Sequence, residues 1–150
     1  MKIEPIEIRD KLGRTIVLRN AIPDDANDLI RYLEVISAET PYLIREPDEI
    51  TITHEQEVSF INNCLASNKS LMLIATLNGK YIGNCSLSPI GNYKRYSHRC
   101  EVAIALYQEF CGYGIGKSML ENVLEVAKGL GFEQAELEVI SDNRNAIVLY

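Results

Sequence analysis

One stretch limits what this 150-residue chain can fold into. A strand-like run from Cys100 to Tyr107 is followed by three glycines at alternate positions, Gly112, Gly114 and Gly116. Apolar residues then recur at helical spacing: Met119, Leu120, Val123, Leu124, Ala127 and Leu130. The apolar period changes from two to about 3.6 across a short loop, which reads as strand, glycine turn and helix. Glycine has no Cβ, so the backbone can turn sharply there and bring its N–H groups close to a ligand. A helix starting at that point adds unpaired donors and the positive end of its dipole, a combination suited to phosphate.

Counting residues excludes two familiar phosphate loops. A P-loop has four residues between its first glycine and its Gly-Lys-Ser end, whereas only three residues separate Gly112 from Gly116 and position 111 is cysteine. The dinucleotide fingerprint would need glycine at position 117, which is Lys117, and it normally opens the first βαβ unit of a domain. On the loop alone, a glycine-rich turn without a ligand stays open beside a phosphate site.

The rest of the chain supplies the context. Ile3–Ile8 and Thr15–Arg19 alternate as strands around a turn at Asp10-Lys11-Leu12-Gly13. Pro23-Asp24-Asp25 suits a helix start, and Ala26, Leu29, Ile30, Leu33 and Ile36 follow at helical spacing. A second helix starts at Thr53, with Gln56 as its capping-box partner and Val58, Ile61, Cys64 and Leu65 on its apolar face. Leu71–Leu77 and Tyr81–Leu87 flank Asn78-Gly79, a strong hairpin signal. Gly91–Ser97 reads as a polar loop, Arg99–Tyr107 as a strand, Gly129 and Gly131 as a helix end, Gln134–Ile140 as a strand and Asn143–Tyr150 as a further helix. This order predicts a mixed α/β (α+β) protein with a largely antiparallel sheet flanked by helices, in a single domain spanning residues 1–150.

Composition narrows the function class. No apolar run approaches the roughly 20 residues of a membrane span, and the N-terminus has no signal-like apolar core, so the cytoplasm is the expected location. Cys64, Cys85, Cys100 and Cys111 form no C-x-x-C pair and no metal-like spacing with His54 or His98, so reduced thiols and no metal are expected. A net charge of −6 argues against a nucleic-acid surface and is compatible with a cationic substrate.

In three pieces the chain resembles the GNAT superfamily of acetyl-CoA-dependent N-acetyltransferases. Glu101-Val102-Ala103-Ile104 resembles the family's fourth strand, and Gly112-x-Gly114-x-Gly116 its pyrophosphate loop. Leu137-Glu138-Val139 followed by Asn143-x-x-Ala146-x-x-Leu149-Tyr150 resembles its fifth strand and the helix after it. The resemblance runs from about Arg14 to Tyr150 and implies acetyl transfer from acetyl-CoA to a primary amine of a small molecule or a protein N-terminus.

The resemblance also implies residue roles. Backbone N–H groups of Cys111, Gly112, Tyr113, Gly114, Ile115, Gly116 and Lys117 would hold the pyrophosphate. The strand segment Val102, Ala103 and Ile104 would pair with the pantetheine arm through Val102 and Ile104, and Asn143 would hydrogen-bond that arm. Tyr150 falls at the position of the general acid, and Glu101 and Glu138 at those of a carboxylate base. Lys117 reads more simply as a solvated first-turn residue, and Cys111 stands where the family often has Gln or Arg. The family continues past a fourth helix with a Gly-Phe segment and two more strands, so the expectation is a C-terminally incomplete domain lacking its last strands. The expected partners are acetyl-CoA and an amine acceptor, without nucleic acid or membrane, with a homodimer as one option. A CoA-binding module without turnover is the alternative function. The acceptor walls are expected in Ser37–Ile50, with Tyr42, Arg45, Glu46 and Asp48, and in the Gly91–Ser97 loop with Tyr93 and Tyr96.

Overall fold

The computed structural model describes residues 1–39, 52–91 and 97–137, and the side chains of these except 36–39. Six strands form one sheet in the order β1 (Ile6–Arg9), β2 (Thr15–Asn20), β3 (Leu71–Leu77), β4 (Lys80–Pro89), β5 (Arg99–Leu106) and β6 (Gln134–Glu136). Each neighbouring pair is antiparallel except β5 and β6, which are parallel. The expected mixed, largely antiparallel sheet is therefore what the chain builds.

Local chemistry explains the joins. Asn78 and Gly79 both adopt positive φ, 53° and 78°, as a two-residue hairpin turn matching the strand twist requires. Near the turn the β3–β4 register shifts between Ala75 and Thr76, so Ala75 faces Gly83 while Thr76 faces Tyr81. The parallel return to β6 needs a crossover, and α3 (Ile115–Gly129) provides it.

Two layers of helix cover the sheet. On one face, Ile115, Met119, Val123 and Ala127 of α3 pack with Ile16, Leu18, Leu73, Ile82, Cys85, Leu87, Cys100 and Val102. The predicted stripe holds along this helix except at Leu124, which is exposed. The helix stops as Gly131 takes φ +88°: its N–H donates to the Lys128 carbonyl and the Phe132 N–H to the Ala127 carbonyl. That pair of bonds is the Schellman arrangement.

On the other face, α1 (Ala26–Glu39) and α2 (His54–Ala66) cover Ile74 and Tyr81. Helix α1 is preceded by a short 3-10 turn, Pro23–Asp25. Asp25 is buried there, its carboxylate accepting two bonds from Arg19 at 2.9 and 3.0 Å and one from the Ile22 N–H. The inward face of α1 is rotated from the sequence expectation. Tyr32 is fully buried, while Ile30 and Leu33 are only partly covered. The cause is aromatic: the Tyr32 ring lies 5.3 Å from that of Tyr81 and 4.8 Å, edge-on, from that of Tyr107. Helix α2 begins as its sequence predicts. The Thr53 hydroxyl accepts from the Gln56 N–H at 3.2 Å, and the Gln56 side chain accepts from the Thr53 N–H at 2.9 Å.

Candidate active site

The ladder between β5 and β6 is short. It pairs Arg99 with Gln134, Cys100 with Ala135 and Glu101 with Glu136, and Leu137 is already outside the strand. Strand β5 continues for five more residues, Val102 to Leu106, still paired with β4 on its other side. Among the described residues no strand covers this part of the β5 edge.

Which backbone groups face the opening follows from alternation. The Arg99 carbonyl accepts from Ile90 of the β4 side, and the Tyr107 N–H donates to the Ile82 carbonyl on that same side. The β4–β5 register is unbroken between these points. Odd-numbered residues of β5 therefore turn their backbone groups to β4, and even-numbered ones turn theirs to the opposite edge. The His98 carbonyl, which accepts from Glu133 and Gln134, obeys the same parity. Ile104 thus presents N–H and C=O to the uncovered edge together with the Val102 carbonyl. The Val102 N–H, expected free, is instead taken by the Glu136 carbonyl that closes the Glu101–Glu136 pairing, and the backbone of Ala103 is turned inward to Ser86 of β4.

The glycine loop begins where β5 ends. A 3-10 turn, Gln108–Phe110, buries Phe110, and the Cys111 N–H donates to the Gln108 carbonyl at 3.1 Å. This engages the first donor of the expected phosphate-binding run. Gly112 and Gly114 take φ of +88° and +83°, which sterically suits glycine. Gly114 is the N-cap of α3, and the first helical bond runs from the Ser118 N–H to the Gly114 carbonyl. Among the described residues, none of the N–H groups of Gly112, Tyr113, Gly114, Ile115, Gly116 and Lys117 has an acceptor within the chain. They make a continuous run of donors at the positive end of a helix, the arrangement that holds an anion through backbone alone. The Lys117 side chain is exposed, in line with a solvated first-turn residue, while Ile115 is buried and anchors the helix start in the core.

The carboxylates lie at the opposite end of β5. Glu101 is exposed on the face of the sheet away from α3, its Cα opposite those of Ser88 and Glu136 in the two ladders. Glu136 accepts from Arg99 Nη2 through both oxygens, at 2.6 and 2.9 Å, and from Gln134 Nε2 at 3.1 Å. The sequence reading names Glu101 and Glu138 and passes over Glu136. Residues 134 and 136 share a strand face, and that alternation was the available signal. Glu138, Asn143 and Tyr150 lie outside the described residues, as do Tyr42, Arg45, Glu46, Asp48, Tyr93 and Tyr96. A cleft of about 460 Å³ opens beyond the C-terminal end of β5, lined among others by Asp28 and Arg31 of α1, Lys80, Tyr81, Tyr107 and Glu109.

Burial raises the thiol pKa of Cys85 to about 12 and also raises that of Cys100, so both behave as core residues. Cys111 is exposed, with its Sγ 3.7 Å from the Tyr107 carbonyl. Glu57 of α2, buried and not anticipated from the sequence, has its carboxyl pushed upward by desolvation. Among the described residues no group of three or more His, Cys, Asp or Glu side chains could hold a metal ion. No helix there is long and apolar enough to cross a membrane.

The family model for the acetyltransferase (GNAT) family matches residues 31–150. The chain belongs to that family. Solved structures agree with this. An acetyltransferase of the GNAT family from Streptococcus pneumoniae is 30% identical with a TM-score of 0.83, over 90% of this chain and 80% of that one. The yncA protein from Salmonella typhimurium, solved with its cofactor acetyl-CoA, has a TM-score of 0.77 at 16% identity, over 89% and 75%. A ribosomal-protein-alanine N-acetyltransferase from Brucella melitensis has a TM-score of 0.76 at 20% identity, over 88% and 79%. The last two share the fold. No curated protein sequence matches the chain. As a GNAT protein the chain uses acetyl-CoA, and the donors and strand edge left open among the described residues fit that ligand's phosphates and amide-bearing arm.

Proposed function

We propose that this GNAT protein transfers the acetyl group of acetyl-CoA to a primary amine, on a small molecule or a protein N-terminus, by direct attack of the amine on the thioester. The observation that carries this reading is the continuity between two sets of free backbone groups. Among the described residues, the donors from Gly112 to Lys117 begin a few residues after an edge that no strand covers, presented by the Val102 carbonyl and by both backbone groups of Ile104. An extended ligand with a pyrophosphate at one end and two amides along its length can use both sets at once.

The chemistry assigns work to named groups. The N–H of Ile104 would polarise the thioester carbonyl as negative charge develops on its oxygen, since the Val102 N–H is engaged by β6. A carboxylate would take the proton of the incoming ammonium, leaving a neutral amine. Glu101 is the described candidate, and Glu138 is the second from the family pattern. The new C–N bond forms as the C–S bond breaks, Tyr150 would protonate the departing thiolate, and the proton shed by the acylated nitrogen would restore the Tyr150 phenol. Asn143 would add a hydrogen bond to the pantetheine arm. The ribosomal-protein-alanine acetyltransferase of the same fold makes a peptide N-terminus a reasonable first acceptor to try.

The test is release of free CoA thiol from acetyl-CoA in the presence of amino acids, polyamines, aminoglycosides and N-terminal peptides. Thiol release with at least one amine is expected. Tight acetyl-CoA binding with no release by any of them would favour a CoA-binding module, and stronger thermal protection by ATP or NAD than by CoA would favour a nucleotide-binding protein.

A further inference from the structure

The glycine loop carries no charge of its own between Cys111 and Gly116, and Lys117 points to solvent. The turn between β1 and β2 lies against it. The Lys11 N–H donates to the Tyr113 carbonyl at 2.8 Å, fixing this turn to the loop between the two left-handed glycines. The Lys11 side chain then runs along Gly114. Its Cγ and Cε stand 3.6 and 3.7 Å from the point a Cβ on that residue would occupy.

Among the described residues the surrounding charges leave this ammonium uncompensated. Asp10, the acid of the turn, is occupied by Arg14: its carboxylate accepts from the Arg14 Nε at 2.6 Å and the Arg14 N–H at 2.9 Å. The Arg14 guanidinium lies 5.0 Å from the Tyr113 ring centroid and 5.9 Å from that of Phe110, so the ion pair is packed onto the base of the loop. Arg9 folds back to the Gly13 carbonyl at 3.1 Å. Residues 9–14 thus hold three cations and one acid in a chain of net charge −6. Lys11 is exposed and has no ion pair among the described residues.

We propose that Lys11 is a phosphate-binding residue, its ammonium meeting the pyrophosphate of acetyl-CoA from the side of the loop opposite the core. The inference rests on the acetyl-CoA reading of the glycine loop and adds to it a side-chain contact from a distant part of the sequence. Six neutral N–H donors fix where the anion sits, and one mobile cation offsets its charge. A lysine suits that task, being a point charge on a flexible stem rather than a planar fork.

The test is calorimetric binding of CoA and of dephospho-CoA, which keeps the pyrophosphate but lacks the 3′-phosphate, to wild type, Lys11→Met and Lys11→Arg. Lys11→Met should weaken both ligands by about tenfold, the scale of one partly solvated charge-assisted contact. Lys11→Arg should recover most of the loss, and the gap should narrow as ionic strength rises. Equal affinity of Lys11→Met and wild type for CoA would overturn the proposal. So would a loss seen with CoA but not dephospho-CoA, which would move the contact to the 3′-phosphate. Failure of wild type itself to bind CoA would reject the underlying ligand reading, a distinct outcome. An unchanged thermal midpoint of ligand-free Lys11→Met keeps the comparison free of folding effects.

Discussion

The carbonyl oxygen of Ala105 lies 2.4 Å from the point a Cβ on Gly83 would occupy, and Leu106 Cδ2 lies 2.6 Å from it. Strands β4 and β5 approach this closely only because position 83 has no side chain. Leu106 could swing aside, but the Ala105 carbonyl belongs to the backbone that carries Val102 and Ile104. A Gly83→Ala variant should therefore displace the end of β5. Overpacking of this kind destabilises by about 1–3 kcal/mol, which urea unfolding would detect. Acetyl-CoA affinity should fall with it, since the displaced strand bears the uncovered edge. Wild-type stability with wild-type affinity would show that the β4–β5 spacing tolerates a methyl group.

Gly114 is constrained by conformation more than by space. Its φ of +83° disfavours any L side chain by about 1–2 kcal/mol, and an added Cβ would stand at ordinary contact distance from Lys11. Gly114→Val adds β-branching at the N-cap of α3 and would crowd the donor run. Acetyl-CoA binding should drop below detection by calorimetry, while far-ultraviolet dichroism stays close to wild type because the core start at Ile115 is untouched. Normal CoA binding by this variant would remove the loop from the phosphate role.

Much of this architecture was legible because it is written in local chemistry. Asn78-Gly79, the Thr53–Gln56 box and the Gly131 stop each act over a few residues, and each formed as read. The α1 stripe differs at Tyr32 because its partners, Tyr81 of β4 and Tyr107 just past β5, lie about 50 and 75 residues away, and periodicity within the helix carries no trace of them. The site divides along the same line. The glycine loop is contiguous in sequence, so its donors could be named in advance, apart from Cys111, whose N–H is taken by the carbonyl three residues before it. Lys11 and Glu136 reach their places only through the turn contact and the parallel register, which no local pattern encodes.

Glu101 and Glu136 face each other across the only parallel pairing among the described strands, but their surroundings differ. Glu136 is held by Arg99 and Gln134, whereas the exposed Glu101 carboxylate makes no hydrogen bond or ion pair among the described residues. The Glu101 carboxylate is exposed and open to an incoming ammonium, so Glu101→Gln should lower kcat on the responsive amine by about 10- to 1,000-fold. Acetyl-CoA affinity should change little. Glu136→Gln should leave kcat within a few-fold and cost at most about 1 kcal/mol of stability, because the ion pair is partly solvated. The reverse ranking of the two variants would transfer the base role away from Glu101.

The Asp10 carboxylate couples folding of the β1–β2 turn to pH. Burial alone would push its pKa up, but hydrogen bonds from the Arg14 N–H and side chain, the Arg14 charge and the Leu12 N–H outweigh that and hold it below its ordinary 3.8. A carboxylate depressed in the folded state binds fewer protons there than in the unfolded chain. Its contribution is therefore present above the ordinary aspartate range and is lost as the pH falls through the folded value. Asp10→Asn removes that contribution at neutral pH, so wild type should show the higher urea midpoint. The difference should stay constant down to about pH 5 and close below about pH 4. A difference that persisted unchanged into strong acid would mean that the Asp10 contacts do not depend on its charge. Because the same turn carries Lys11 to Gly114, Asp10→Asn should also weaken acetyl-CoA binding at neutral pH, by less than Lys11→Met does.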